Sequence, residues 1–364
     1  MKKILVFAIF PAPYRTAIFD KLAEEYDVHV IFARNNDANR DPSWFSQNFN
    51  YKCTILSPET KKQVFVETKK SIREYDLVLF YDFASNFAIK LKLLCQAKKI
   101  PFVLNCDGSF DNKGFVKNIV KDFIVSGAKM YFASGEYAKR YFLNHGANEK
   151  DVIIHNFTSI FESDVLAQPL NIQEKNAIKQ ELGLSIDRKT VLSVGQFTYR
   201  KGYDFMLSGW KEMDAEYDLV IIGGGEDENL YKSITQEKGL KNVKLEGFKP
   251  KDVITRYMQA CDVFVLPTRE DIWGLVINEA LACGVPVITT NRCIAGLEMI
   301  RQGENGFTVD IEDSAQLNAR IKDTLSCEES EYNAMCHKAL DSVRDFTIEY
   351  MCDKQISGIH KILK

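Results

Sequence analysis

Long apolar segments are missing from this sequence of 364 residues. Nowhere do 18 consecutive apolar residues occur, so the sequence predicts no membrane-spanning helix. The nine cysteines are scattered and never spaced as Cys-x-x-Cys, and none of the five histidines forms a metal-spaced pair. These absences argue against a disulfide framework or a zinc knuckle and favour a protein of the reducing cytoplasm.

Proline is scarce, with nine residues, and we find neither a low-complexity segment nor an internal repeat. The content of 46% hydrophobic and 27% charged residues is typical of a globular protein. At this length two domains are expected. The start, MKKILVFAIFPAPYR, resembles a signal peptide but lacks a small-residue cleavage site, so we expect a buried first strand there.

Charge of neither sign dominates the chain, but its distribution is uneven. Residues 1–160 hold 23 Lys and Arg against 17 Asp and Glu, whereas the remainder holds 24 against 33. A basic first part suits an anionic lipid or a phosphorylated ligand, and an acidic second part disfavours nucleic acid as a partner.

Short apolar runs alternate with helical patterns along the whole chain. This alternation predicts an α/β protein with two tandem Rossmann-like domains, each a doubly wound parallel sheet, facing a cleft. We place the domains at 1–165 and 166–344, because the stretch after residue 162 is polar and lacks strands. The final helix, 345–364, would close the second domain or pack back on the first. The runs are KILVFAIF, VHVIFA, LVLFYD, PFVLNC, KMYFAS and DVIIH, then TVLSVGQF, YDLVIIGGG, VKLEGF, DVFVLPT, PVITT and GFTVD.

The segment TREDIWGLVINEALACGVPVITT, 268–290, carries two acids with seven residues between them, Asp271 and Glu279. Its pattern predicts a loop after a strand, then a helix that ends at Gly284. A helix N-terminus favours negative charge, and each carboxylate accepts two hydroxyl hydrogen bonds, so this segment suits a nucleotide sugar. Asp271 would bind the sugar hydroxyls and Glu279 the ribose diol; the alternative is helix capping and solubility.

DIWGLVINEALACGVPVI, 271–288, resembles the signature of the retaining, nucleotide-sugar-dependent GT-B glycosyltransferases, glycosyl transferases group 1 of the family 4 type. Relatives have a context like EGFGLVLLEAMACGLPVV. The first acid differs, because Asp271 is one methylene shorter than Glu, and Glu270 precedes it. Either acid would contact the sugar. The resemblance implies that donor binding also involves four neighbouring residues: Trp273, Gly274, Leu275 and Val276.

Further motifs extend this resemblance through the second half. LSVGQFTYRKGYD places Gly195 after a strand and presents Arg200 and Lys201, which in relatives contact the donor phosphates. Two cations there would stabilise charge that grows on the leaving diphosphate. Gly224 matches a glycine-rich strand end, and Phe248 and Lys249 lie where the family places the nucleobase. The competing interpretations are a solvated basic turn and a turn anchored by Phe.

The first half carries the expected acceptor site. Tyr14 and Arg15 follow the first strand, and Asp107 follows PFVLNC, where relatives place a His or an acid near the acceptor hydroxyl. Asp107 would position or deprotonate that hydroxyl. An Asp-Gly turn is the alternative.

Lysines recur every four residues at Lys113, Lys117 and Lys121, beside apolar residues. Such a stripe lies on anionic membranes in some proteins and is a solvated face in others. An aromatic cluster, Trp44, Phe45, Phe49 and Tyr51, would belong to the same surface or to a sugar platform.

No Asp-x-Asp sequence occurs, so we expect a metal-independent enzyme without cofactors. The resemblance implies transfer of a hexose from a nucleoside diphosphate sugar, a UDP-sugar by default, to a hydroxyl of a lipid-linked or saccharide acceptor. Capsule, O-antigen or exopolysaccharide synthesis is the expected context, in the cytoplasm or at the inner face of the cell membrane. The alternatives are a weakly catalytic or non-catalytic binding partner of another transferase and a sugar-nucleotide epimerase.

Overall fold

The computed structural model describes residues 1–35, 48–110 and 115–364. Trp44, Phe45 and Lys113 lie outside these ranges, as does the side chain of Lys117. The chain divides into two compact units. Unit 1 comprises Met1–Ser159 and Thr347–Lys364, and unit 2 comprises Ile160–Phe346.

Unit 1 contains a parallel sheet of seven strands in its described residues. The strand order is β3-β2-β1-β4-β5-β6-β7. From β1, the chain first adds β2 and β3 on one side and then β4 to β7 on the other side, which is the topology of a doubly wound sheet. The inner strands are mostly apolar, and β4 wholly so, as expected for a sheet that helices cover on both faces. The strands are β1 (Lys3–Ala8), β2 (Asp27–Phe32), β3 (Lys52–Ile55), β4 (Leu77–Phe80), β5 (Phe102–Cys106), β6 (Met130–Ala133) and β7 (Val152–Ile154).

Six helices of unit 1 lie within the described ranges. Five follow the strands, and the sixth, α14, comes from the end of the chain and contacts α1 and β7. Gly358 of α14 permits this packing, since an added Cβ would lie 2.8 Å from atoms of Met130, Phe132 and Ile153. The helices are α1 (Pro13–Ala23), α2 (Lys61–Ser71), α3 (Asn86–Lys98), α4 (Phe115–Val125), α5 (Glu136–Asn144) and α14 (Ile348–Leu363).

Unit 2 repeats the arrangement with a parallel sheet of order β10-β9-β8-β11-β12-β13. Its strands are β8 (Lys189–Val194), β9 (Tyr217–Ile222), β10 (Val243–Glu246), β11 (Val263–Leu266), β12 (Val287–Thr290) and β13 (Gly306–Val309). Its helices are α6 (Ile172–Glu181), α7 (Tyr203–Gly209), α8 (Glu228–Glu237), α9 (Lys251–Ala260), α10 (Leu275–Ala282), α11 (Ile294–Met299), α12 (Ser314–Ser326) and α13 (Glu329–Ser342).

A buried ion pair joins α6 to the sheet of unit 2. Lys179 Nζ lies 2.8 Å from Asp262 Oδ2, and the same oxygen accepts a hydrogen bond of 2.7 Å from the backbone N–H of Thr190. Because Asp262 is 1% exposed and Lys179 2%, the two buried charges compensate each other, and Lys189 Nζ lies 3.8 Å from Asp262 Oδ1.

The predicted fold class is confirmed: both units are α/β with parallel sheets. All twelve predicted apolar runs contain strands. The prediction missed β3, an edge strand whose four residues are exposed or half-buried. No helix in the described part of the chain combines the length and apolar character needed to cross a membrane.

Candidate active site

The first element of the candidate site is the turn after β8. Gly195 follows this strand directly, and an added Cβ there would lie 2.8 Å from Tyr203 Oη and 3.3 Å from Lys201 Cε. The next residues form a short 3₁₀ helix, Tyr199–Lys201, which ends at Gly202 with φ +72°. Gly202 is required because an added Cβ would overlap the Pro267 carbonyl. The turn buries Lys201 and leaves Arg200 exposed.

The second element is the loop between β11 and α10. Gly274 caps α10 with φ +99°, and an added Cβ would lie 2.7 Å from Cys293 Sγ. Leu275 and Val276 form the first turn of α10 and are half-buried, as is Glu279 in the second turn. Trp273 is buried, and its indole N–H donates to Asn278 Oδ1 at 3.0 Å. Trp273 therefore stabilises the loop by anchoring it to α10 through a buried side chain.

The two elements meet at Asp271. Lys201 Nζ donates to Asp271 Oδ2 at 2.6 Å, and Arg200 Nη1 lies 3.4 Å from the same oxygen. Burial by itself would raise the pKa of Asp271, but the charges of Lys201 and Arg200 outweigh burial and hold this pKa below its usual range. The structure thus brings together three of the predicted charged residues.

Glu270 differs from its neighbour in exposure. Its carboxylate lies at the surface in an ion pair with Arg292, and its backbone carbonyl accepts a hydrogen bond of 2.8 Å from Arg200 Nη1. Asp271 is 9% exposed. Either acid was predicted to contact the sugar. Asp271 is buried and paired with Lys201, whereas the carboxylate of Glu270 is accessible to a ligand from solvent.

Arg269 is a residue that the sequence interpretation missed. Its guanidinium donates to both carboxylate oxygens of Asp204 at 2.8 Å and to the Tyr199 carbonyl at 2.6 Å. It also stacks 3.8 Å above the Tyr199 ring, and its backbone N–H donates to the Arg200 carbonyl. Arg269 therefore fastens the Tyr199–Lys201 helix to the loop that holds Asp271. Its position immediately before Glu270 was the signal available in the sequence.

The predicted nucleobase residues lie near the ends of β9 and β10. The Phe248 ring is 66% exposed, and it covers Gly224, where an added Cβ would lie 2.7 Å from a ring carbon. Lys249 Nζ forms an ion pair of 3.1 Å with Glu246. The exposed Phe248 ring and the adjacent Gly224, which has no side chain, provide a flat apolar surface suited to an aromatic base.

In unit 1, Arg15 and Asp107 form an ion pair through Arg15 Nη2 and Asp107 Oδ1. Asn105 Nδ2 donates to the same carboxylate oxygen at 2.7 Å. Arg15 is 4% exposed, whereas Tyr14 is half-buried and the Asp107 side chain is 31% exposed. The structure therefore brings Arg15 and Asp107 together and leaves Asp107 accessible.

A buried histidine lies in the same part of unit 1. His155 follows β7, is fully buried, and has no hydrogen-bond partner at either ring nitrogen in the described structure. Burial, assisted by the charge of Arg15, lowers the pKa of His155 to about 3. The imidazole is therefore neutral at physiological pH. No sequence motif indicated a role for His155.

No group of three or more His, Cys, Asp or Glu side chains positioned to hold a metal ion occurs within the described residues. A cavity of about 580 Å³ is lined by residues around the amino end of β2, including Tyr26, Asp27 and Lys52. It is remote in the fold from the carboxyl strand ends that carry the predicted residues. Ligands of open α/β sheets bind at those carboxyl ends, so this cavity is not the candidate active site.

The fold is that of the GT-B glycosyltransferases. Solved structures of Anabaena HepE, in complexes with UDP and with UDP-glucose, have TM-scores of 0.80 and 0.78. The UDP complex is 15% identical to this chain, and the alignment covers 99% of this chain and 100% of HepE. At this identity the likeness shows the shared fold alone.

The family match lies in unit 2. Residues 174–340 match the model of the family Glycosyl transferases group 1. The predicted resemblance is confirmed. An uncharacterized glycosyltransferase of Methanocaldococcus jannaschii is 28% identical over 232 residues, covering 61% of this chain and 62% of the relative.

A Klebsiella pneumoniae protein described as an uncharacterized 41.2 kDa protein in the cps region is 25% identical over 304 residues, with 80% of each chain covered. The chain spans between 41% and 62% of the first three curated relatives that it matches.

Proposed function

We propose that this protein is a retaining glycosyltransferase that moves a hexose from a nucleoside diphosphate sugar to an acceptor hydroxyl. The observation that carries the proposal is the Lys201–Asp271 pair with Arg200 beside it, immediately before α10. A cationic pair next to a helix N-terminus suits a diphosphate. The complexes of HepE with UDP and UDP-glucose support a UDP-sugar as the first donor to test.

Charge on the leaving diphosphate grows as the glycosidic bond breaks. Arg200 and Lys201 would stabilise this charge more strongly in the transition state than in the ground state, which accelerates the reaction. The departing phosphate would help take the acceptor proton on the same face of the sugar, which preserves the anomeric configuration. With these cations and the α10 dipole, the chemistry requires no divalent metal.

Donor recognition would involve three further parts of unit 2. Phe248 and Gly224 would hold the base, with Lys249 beside it, and Glu279 would accept hydrogen bonds from the ribose diol. Glu270 would reach the sugar hydroxyls from the surface, while Asp271 holds Lys201 in place. Gly195 and Gly274 would let the backbone approach the donor closely.

The acceptor would be a lipid-linked or saccharide hydroxyl in polysaccharide biosynthesis, at Asp107 of unit 1. The cps-region relative supports this context. Helix α4 supports a location at an anionic membrane, because it exposes Ile119, Val120 and Phe123 beside Lys121. Lys92 anchors this helix by donating to the carbonyls of Phe123 and Ile124.

A donor panel tests the proposed activity. UDP-, GDP- and TDP-sugars would be screened for thermal stabilisation and for slow hydrolysis, with the Glu279→Ala variant and EDTA-treated protein in parallel. We expect stabilisation by one nucleotide class, hydrolysis abolished in Glu279→Ala, and full activity after EDTA treatment, because a ligand bound only by the folded state raises its melting temperature.

The same panel separates the alternatives. Binding without turnover across all donors would support a non-catalytic partner of another transferase. A free epimer formed without acceptor would support a sugar-nucleotide epimerase. No binding of any nucleotide sugar would rule out all three functions.

The membrane location has its own test. Vesicles that contain anionic lipid would be sedimented with wild-type protein and with Ile119→Ser/Phe123→Ser. We expect the double variant to remain in the supernatant. Leu230→Ser, an exposed apolar residue of α8, serves as the control and should sediment like wild type.

A further inference from the structure

Arg15 is enclosed by aromatic rings. Its guanidinium carbon lies 4.7 Å from the ring centroid of Phe157, 4.8 Å from that of Tyr81 and 5.4 Å from that of Tyr14. The side chain is 5% exposed. A cation so enclosed cannot meet a large acceptor directly, and its position is restrained by rings on several sides.

The enclosing rings are themselves held in place. Tyr81, which follows β4, donates its hydroxyl proton to Gln355 Oε1 on α14. Phe157 packs edge-on against Tyr14, with ring centroids 5.3 Å apart. The orientation of Arg15 is therefore set by residues from α1, α14 and the strand ends of unit 1.

Within the described residues, both side-chain hydrogen bonds to Asp107 end on one carboxylate oxygen. Arg15 Nη2 and Asn105 Nδ2 each donate to Oδ1. No donor to Oδ2 is found within the described residues, and the Asp107 side chain is 31% exposed. Because a carboxylate can rotate about its Cβ–Cγ bond, two donors on Oδ1 fix which oxygen a ligand meets.

We propose that Arg15 is a positioning residue that acts through Asp107, rather than a residue that contacts the acceptor. This inference rests on the proposed function. Asp107 Oδ2 accepts a hydrogen bond from the acceptor hydroxyl and so holds that hydroxyl in one orientation. As the new carbon–oxygen bond forms and the bond to the diphosphate breaks, the hydroxyl proton turns from Oδ2 to the leaving phosphate oxygen.

The experiment compares transfer to acceptor with donor hydrolysis in the absence of acceptor. In Arg15→Met we expect kcat for transfer to fall about 100-fold, the size of loss that a misplaced catalytic group produces. Hydrolysis and donor affinity should stay within about two-fold, because they do not require the acceptor hydroxyl to be aligned. Arg15→Lys should recover part of the transfer rate, since an ammonium still pairs with Oδ1. Arg73→Met, at an exposed position of unit 1, is the matched control.

A double variant separates positioning from a general structural role. In an Asp107→Asn background, Arg15→Met should reduce transfer no further, because the group that Arg15 orients is already altered. A further loss of transfer, or an equal loss of transfer and hydrolysis in the single variant, would overturn the inference. Should Arg15→Met fail to fold, Arg15→Lys and Asn105→Ala provide the same comparison, and unchanged transfer in both would overturn it as well. A wild-type protein without donor binding would refute the proposed function instead.

Discussion

The ammonium of Lys201 lies 2.6 Å from Asp271 Oδ2, although 70 residues separate them in the sequence. Lys201 is 7% exposed and Asp271 9%. The pair joins the turn after β8 to the loop before α10, so the two cations proposed for the diphosphate have a fixed position before any ligand arrives.

Breaking this pair should destabilise unit 2. A buried charge that loses its partner costs about 3–5 kcal/mol, so Lys201→Met and Asp271→Asn should each lower the free energy of unfolding substantially. The double variant should lose less than the sum of the two, with a coupling of at least about 1 kcal/mol. Urea denaturation of the four proteins measures this coupling.

An exposed pair on α8 is the control for that measurement. Lys232 and Glu228 lie 2.6 Å apart, with side chains 54% and 45% exposed. Their coupling should be below about 0.5 kcal/mol. Equal coupling energies for the two pairs would show that burial adds nothing to the Lys201–Asp271 interaction.

Removing Arg269 should weaken diphosphate binding. Arg269→Gln loses the paired hydrogen bonds to Asp204 and releases the Tyr199–Lys201 helix. We expect about ten-fold weaker UDP binding, equivalent to about 1.4 kcal/mol, and unchanged binding of uridine, which has no phosphate. Titration calorimetry measures both, with the exposed Arg344→Gln as control. An equal loss for UDP and uridine would contradict a role specific to the phosphates.

Phe248→Ala should reduce nucleotide affinity without affecting stability. Stacking of an aromatic side chain on a base contributes about 1–3 kcal/mol, so UDP should bind roughly 5- to 150-fold more weakly. The melting temperature without ligand should hardly change, because the ring is 66% exposed. Unaltered UDP affinity would place the base elsewhere.

His155 should make unit 1 sensitive to acid. Its pKa is lowered from 6.5 to about 3 in the folded protein. As the pH falls from about 6.5, the unfolded chain binds a proton that the folded protein excludes, so the free energy of unfolding declines. The slope from this group approaches about 1.4 kcal/mol per pH unit, and the decline ends near the folded pKa.

The variant His155→Gln should remove this contribution and make the profile less steep between pH 6 and pH 4, where His29, whose pKa burial lowers to about 4, still contributes. Denaturation at a series of pH values measures the change. His337→Gln, at an exposed position of α13, should keep the wild-type slope. If the two variants gave the same slope, the buried imidazole would not be the source of acid sensitivity.

Much of the fold could be predicted because the inner strands are buried on both faces. Leu77–Phe80 and Val263–Leu266 are wholly apolar, and such runs between helical patterns indicate a parallel sheet. Lys52–Ile55 could not be found in this way, because an edge strand with exposed residues has no continuous apolar signal. Its pairing with β2 depends on the neighbouring strand.

The candidate site was less accessible to sequence reasoning. The signature located Asp271 and the turn located Lys201, but their pairing is a tertiary contact without a local pattern. The same holds for Arg15, whose burial depends on Tyr81, Phe157 and the distant Gln355. Burial of a charged residue also opposes composition statistics, which place Arg and Lys at the surface.

The last helix of the chain has a consequence for biosynthesis. Unit 1 needs α14 to cover Met130, Phe132 and Ile153, yet Thr347–Lys364 leaves the ribosome only after all of unit 2. At about 5–20 residues per second, this delay amounts to roughly 10–40 s. The nascent first unit therefore waits with part of an apolar sheet face uncovered until α14 has been synthesised, and we expect it to bind chaperones during that interval.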